Sequence, residues 1–260
     1  MDIRLDGKRA LVCGASAGIG RAVALALAEQ GASCILLARR VSPLLSLQEE
    51  ITARGLPAAR VAVADLDRRE ELCSLVEDLL EDGPVHVLVN NAGGPAGGPL
   101  LEASEEDFLS AFGRHVLASH RLAGLLLPGM EQSGYGRILN IVSTSVYEPI
   151  RGLGVSNTIR GAMASWAKTL SDELPPGVTV NNVLPGFTDT ARLASLKRER
   201  AHRSGSTPGD IERGWLAQVP EGRLGEPREI AAAVAFLASP AAAYVRGTSM
   251  PVDGGRLRGI

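Results

Sequence analysis

The stretch RALVCGASAGIG at positions 9–20 runs a short apolar strand straight into a glycine-rich turn, after which the residues take up helical spacing. Gly14, Gly18 and Gly20 stand in a GxxxGxG pattern. Glycines permit a tight turn there and let backbone N–H groups at a helix start approach a phosphate, where the helix dipole favours negative charge. A glycine-rich turn that binds nothing is the competing reading. It has to account as well for several further segments at the ends of later strands, the edge where such sheets bind ligands.

Outward from that turn, β-branched or leucine-rich runs at 34–38, 59–64, 85–90, 137–142 and 178–183 alternate with segments of three- and four-residue apolar spacing. The latter lie at 19–30, 43–54, 68–81, 105–130, 156–174 and 227–238, and the sequence SMPVDGG suggests a last strand. This alternation predicts a parallel sheet with helices on both faces. The stretch 188–226 is charged, broken by Gly and Pro and poor in large apolar residues, so it is expected to be a mobile insertion within the domain.

With 260 residues and 45% hydrophobic content, the chain can bury a large core, and one α/β domain of this size is ordinary. A formal net charge of -2 gives no broad attraction for nucleic acid or anionic lipid, so a small-molecule partner is expected. The charged start MDIRLDGKR is unlike a signal peptide, and no apolar run approaches the roughly 18 residues of a membrane span, which predicts a soluble, cytoplasmic protein. Cys13, Cys34 and Cys73 are odd in number and widely spaced, and they read as reduced packing residues with no metal site.

The motifs continue in order: NNAG from Asn90, NIVS from Asn140, Pro185 with Gly186, and GTSMPVDGG from Gly247. On these the chain resembles the short-chain dehydrogenase/reductase family from end to end, and within it the 3-oxoacyl-carrier-protein reductases. The resemblance implies a doubly wound parallel sheet of Rossmann type in one three-layer domain over 1–260, with 188–226 as a substrate lid. It places Gly14, Ser16, Gly18, Ile19 and Gly20 at the cofactor phosphates, and Asp65 and Leu66 beside adenine. It sets Asn91, Ala92 and Gly93 beside the adenosine ribose and its neighbours, and Pro185, Gly186 and Thr188 near the nicotinamide carboxamide. A homotetramer or homodimer is also implied, with the fourth and fifth helices pairing between subunits.

Cofactor choice has a physical argument of its own. NAD enzymes place an acid at the end of the second strand to accept hydrogen bonds from the ribose 2′-hydroxyl, but here the strand ends in Ala38, Arg39, Arg40. Two guanidinium groups suit a 2′-phosphate, which favours NADP(H); alternatively, one or both arginines begin a solvated helix.

The catalytic positions depart from the family. Ser143 stands where its carbonyl-binding Ser stands, but the TyrxxxLys segment reads Ser156, Asn157, Thr158, Ile159, Arg160, and His115 aligns with the structural Asn. A serine hydroxyl is far too weak an acid to replace tyrosine. Arg160 keeps the charge and a contact to the nicotinamide ribose but stays protonated, so it cannot relay a proton. His115, Tyr147 or ordered water remain as proton sources, against a packed histidine and an ordinary loop tyrosine. The arginines of the lid, among them Arg192 and Arg203, either attract an acidic or carrier-linked substrate or form a solvated face.

Three functions stay open. One is an NADP-dependent reductase of a ketone or 3-oxoacyl-like substrate, free or linked to acyl carrier protein or CoA, working by an atypical proton path. Another is a weak or inactive NADP(H)-binding protein with a sensing or partner-binding role. The third is a hydride transfer that needs no strong protein acid, for example to a substrate that carries its own proton donor.

Overall fold

Apolar runs too continuous for a half-solvated sheet are buried on both faces in a computed structural model, which describes residues 1–259. Seven parallel strands form one sheet in the order β3-β2-β1-β4-β5-β6-β7. They are β1 (Arg9–Cys13), β2 (Ser33–Ala38), β3 (Arg60–Val63), β4 (Val87–Asn90), β5 (Gly136–Ile141), β6 (Val178–Pro185) and β7 (Ser249–Val252). Strand order reverses between β1 and β4, so the crevice for a ligand opens above their carboxyl ends.

The helices are α1 (Gly18–Glu29), α2 (Val41–Ala53), α3 (Arg69–Leu80), α4 (Glu105–Phe112), α5 (Ala118–Gln132), α6 (Gly154–Glu173), α7 (Ala191–Ser204), α8 (Pro208–Leu216) and α9 (Pro227–Ala238). Val23 and Leu27 of α1, Leu44 and Leu47 of α2, and Val234 and Leu237 of α9 pack on one face against Val12, Leu36 and Val87. On the other, Leu72 and Val76 of α3 and Leu122 and Leu126 of α5 cover Leu11, Leu88 and Ile138. Each such fully buried side chain contributes roughly 1.5–3 kcal/mol. A third cluster, Ala111, Val116, Val155, Ile159 and Met163, seats α4 and α6 beneath the crevice.

Two expectations are corrected. The helix expected at 105–130 is interrupted at Gly113–Leu117 by a π-helical turn, which shifts the register of the residues that follow it. The stretch expected to be irregular, 188–226, folds into α7 and α8. Thr190 caps α7 through Leu193 N–H, and Thr207 with Asp210 forms a capping box ahead of Pro208 at the start of α8. Trp215 of α8 is buried and stacks on Phe187, ring centroids 5.1 Å apart, which anchors the insertion to the end of β6. Among the described residues no helix is long and apolar enough to cross a membrane.

Candidate active site

The glycine turn keeps its shape because no side chain fits in it. Gly14 has φ +64°, and a Cβ there would meet Asn91 Nδ2 at 2.6 Å; a Cβ on Gly20 would overlap the Gly14 carbonyl oxygen. Asn91 ties the exit of β4 to this turn by donating to the carbonyls of Cys13 at 3.2 Å and Gly14 at 3.4 Å. Helix α1 then begins with no side-chain cap and no acid in its first turn. Its free N–H groups and positive dipole end are left facing the crevice, an arrangement suited to an anion.

A ladder of buried amides holds the other strand ends level. Asn90 donates to Asn140 at 2.8 Å, Asn140 to Asn182 at 2.8 Å, and Asn182 to the Ser249 hydroxyl at 3.0 Å. These residues are direct register partners across β4, β5, β6 and β7. Removing one amide leaves its neighbours with unsatisfied buried groups, at a cost of about 1–3 kcal/mol.

Above these ends lies a cleft of about 550 Å³. Its wall brings together Gly14, Ser16, Gly18 and Ile19 of the turn, Arg39 and Arg40, Asp65 and Leu66, and Asn91, Ala92 and Gly93. Ser143, Ser156, Arg160, Pro185 and Gly186 line it too. Gly20 does not; it is buried beneath the turn. Thr188 is buried as well, its hydroxyl donating to the Gly186 carbonyl at 3.2 Å, and Thr190 two residues on reaches the cleft instead. The sequence signal for Thr190 was its double use, two residues after Thr188 and just before a helix it caps. Asp65 stands 3.8 Å from Arg39, so one of the two arginines already has a weak acidic partner.

At the far end of the cleft, Ser143 Oγ accepts from Ser145 N–H at 3.1 Å and faces the cleft on the loop after β5. Arg160 on α6 donates from Nη1 to the Ile141 carbonyl at 2.9 Å. Burial draws its guanidinium down to about 10, with the charge of Arg192 adding to the effect, so it remains a cation at neutral pH.

Neither side-chain candidate for proton donor sits in the cleft. His115, on the π-helical turn, is 5% exposed and lines a small void of about 10 Å³ with Asn90, Asn140 and Met163, which adjoins the cleft at Arg160, Asn91 and Ile141. Its Nε2 has no hydrogen-bond partner among the described residues. Burial, then the charges of Arg160 and Arg114, push it down to about 2. The imidazole is therefore neutral across the physiological range and has no imidazolium proton to give. Tyr147 is exposed and donates to the Ser249 carbonyl at 3.3 Å, at the β7 end of the sheet. Among the described residues, the cleft wall contains no Tyr, Lys, His or Cys, and Asp65 is its one carboxylic acid.

Arg192, Arg198, Arg203 and Arg213 of 188–226 are exposed, as a solvated face would be, yet several arginines of the stretch also make specific contacts. Arg192 donates to the Pro95 carbonyl at 2.6 Å, Arg203 to the Gly97 carbonyl at 3.0 Å, and Arg200 to the Arg151 carbonyl, which stitches α7 to the opposite wall of the cleft. Lys197 pairs with Glu212, joining α7 to α8. Among the described residues no group of three His, Cys, Asp or Glu side chains is placed to hold a metal ion. Cys13 and Cys34 are buried with their thiols pushed up to about 12 by desolvation, and Cys73 is half-buried.

Known proteins are similar to this chain in sequence and fold. A family model described as enoyl-(acyl carrier protein) reductase matches residues 14–256. A 3-oxoacyl-[acyl-carrier-protein] reductase of Vibrio cholerae is 37% identical over 97% of this chain and 98% of its own length. The structure of L-sorbose reductase from Gluconobacter frateurii, complexed with NADPH and L-sorbose, superposes with a TM-score of 0.92 at 30% identity, covering 100% of both chains. That of YwfH, an NADPH-dependent reductase of bacilysin biosynthesis, gives 0.92 at 29% identity over 97% of this chain and 99% of its own. With the glycine turn, the reversed strand order and the full-length matches taken together, this chain belongs to the short-chain dehydrogenase/reductase family.

Proposed function

We propose that this protein is an NADP(H)-dependent oxidoreductase that reduces a ketone-bearing small molecule with no side-chain proton donor in its cleft. The observation that carries this reading is one continuous cleft. At one end it has an uncapped helix start and two arginines where an NAD enzyme needs an acid; at the other it has two hydroxyls beside a buried cation. The Gluconobacter relative, complexed with NADPH, supports the choice of cofactor.

In this reading the first amides of α1 hold the cofactor diphosphate, Arg39 and Arg40 the 2′-phosphate, and Asp65, Leu66, Asn91, Ala92 and Gly93 the adenosine. Pro185, Gly186 and Thr190 flank the nicotinamide. The cofactor supplies a hydride when bound. Ser143 and Ser156 donate hydrogen bonds to the carbonyl oxygen, and Arg160 stabilises the negative charge that develops on it. The proton comes from water in the cleft or from the substrate itself, because His115 is buried and neutral and Tyr147 lies outside. Acyl-carrier or CoA thioesters fall within the candidate substrates through the Vibrio relative. The exposed Leu109, Phe112 and Leu117 suit pairing of α4 and α5 between copies, which a monomeric sedimentation coefficient would rule out.

The second reading, NADP(H) binding without turnover, is favoured by the absence of Tyr, Lys, His and Cys from the wall of the cleft. NADPH and NADH titrations, followed by NADPH oxidation against ketones and 3-oxoacyl thioesters, separate the two. The wild type is expected to bind NADPH tightly and turn over slowly. The double variant Ser156→Tyr/Arg160→Lys is expected to gain about 10²–10⁴ in kcat, the usual worth of a positioned general acid. Binding without turnover in either protein supports the second reading, and failure to bind NADPH overturns both.

A further inference from the structure

Among the described residues, two guanidinium groups and no carboxylate line the carbonyl end of the cleft. Arg160, 9% exposed, makes one hydrogen bond, to the Ile141 carbonyl, and no salt bridge among the described residues. Its Nη2 lies 3.7 Å from where a Cβ on Gly94 would stand. The next residue, Pro95, accepts a 2.6 Å hydrogen bond from Arg192 Nη2, which arrives on α7 from the opposite wall. The segment of Gly94 and Pro95 therefore brings both cations to one place. The acids around them stand outside the cleft wall or at its other end. Glu199 makes a long 4.0 Å ion pair with Arg192, also accepts the Ser195 hydroxyl at 2.9 Å, and does not line the cleft. Asp67 is taken by Arg114 at 2.5 Å, and Asp65 lies near Arg39 at the adenosine end. A buried guanidinium without a counter-charge is costly, and a second cation beside it adds repulsion; one anion relieves both.

We propose that the substrate carries a carboxylate, which pairs with Arg192 against the unpaired charge of Arg160, with its carbonyl oxygen at Ser143 and Ser156. This inference rests on reading the cleft as that of a carbonyl reductase, and it names the substrate class as a short-chain oxo acid rather than a neutral ketone or a thioester. Val142, Leu153 and Leu196 line the same end of the cleft and give the carbon chain an apolar wall. The cofactor diphosphate is the other anion able to reach Arg192, and the test separates the two.

The experiment uses full-length protein saturated with NADPH, and follows the bound cofactor's fluorescence while acetoacetate, levulinate or phenylpyruvate, and separately their methyl esters, are titrated in. At least one acid is expected to bind about three- to tenfold more tightly than its ester, the ratio expected of one charge-assisted pair to a half-exposed arginine. Arg192→Gln should bring that ratio to about one and leave the NADPH Kd within a factor of about two; Arg192→Lys should recover part of it. Esters binding as well as the acids, or neither binding, overturns the inference. So does an Arg192→Gln protein whose NADPH Kd rises while the acid-to-ester ratio stays, which would assign Arg192 to the diphosphate. Binding is read without turnover, so an acid that binds but is never reduced supports this inference and breaks the reductase reading alone. Reduction of esters with no preference for acids does the reverse.

Discussion

The two ends of the cleft meet different demands. The adenosine end needs geometry and fixed charge: a turn without side chains, free amides at the start of α1, and the cations Arg39 and Arg40. The carbonyl end, in the family's usual form, also needs groups whose protonation changes during the reaction. Here fixed features stand at both ends, with Ser143 and the cation Arg160 in the wall, and among the described residues no Tyr, Lys, His or Cys lines it. A fixed cation can hold a ligand without titrating, whereas proton transfer depends on an acid of the right strength within reach.

The largest expected effect breaks the adenosine end. In Arg39→Ala/Arg40→Ala the NADPH Kd should rise by roughly 100-fold, since charge-assisted hydrogen bonds to phosphate contribute about 1.5–3 kcal/mol each where desolvated. Arg39 is 70% exposed at the side chain and already shares Asp65, so Arg40 should account for the greater part. NADH binding should change little. Equal weakening of both cofactors would mean that the arginines shape the loop instead of reading the 2′-phosphate.

At the carbonyl end, His115 sharpens the comparison through pH. Its folded pKa of about 2 lies below the ordinary 6.5. As pH falls below 6.5 the unfolded chain therefore takes up a proton that the folded chain refuses, and stability drops by up to about 1.4 kcal/mol per pH unit. Above 6.5 the contribution is fully present. Urea midpoints between pH 7.5 and 4.5 should fall less steeply for His115→Asn than for the wild type, on top of a carboxylate background common to both. Parallel curves would show that His115 reaches solvent and is available to donate after all.

Most of the fold was legible because it rests on periodicity. The run at 9–13 reads as a strand in any context, and Pro227 at the start of α9 marks a boundary that the structure keeps. The interruption at 113–117 was not legible: apolar spacing continues through Gly113, and only three-dimensional crowding, with Arg69 Nη1 2.8 Å from a Cβ placed there, marks the site. Helices α7 and α8 were hidden for a different reason. Their stability comes from caps and from one buried tryptophan rather than an apolar stripe, and the signal that was present, Thr207 and Pro208 ahead of Asp210, is a start signal without a periodic segment after it. The residues gathered at the glycine-turn end of the cleft stand on motifs that are readable in the chain. The standing of His115 was not, because whether a histidine faces a cleft or a void depends on where that extra turn directs it.

The smallest expected effect concerns the wall that α7 makes over the carbonyl end. Arg192, Arg200 and Arg203 all donate to backbone carbonyls across the cleft, so the contacts are charge-assisted but do not match charge with charge. Arg203 lies farthest along the helix and its bond to Gly97 is solvent-exposed, which reduces its worth to about 0.5–1 kcal/mol. If opening of α7 gates release, Arg203→Ala should raise the NADPH dissociation rate about two- to fivefold in stopped-flow displacement. Arg198→Ala, an exposed neighbour with no hydrogen-bond partner among the described residues, should leave it unchanged. Because the acceptors are neutral, added salt should change the Arg203 effect little, whereas it should weaken the hold of Arg39 and Arg40 on a phosphate. A rate unchanged in Arg203→Ala would mean that α7 stays in place while the cofactor leaves, and that the adenosine end alone sets the residence time.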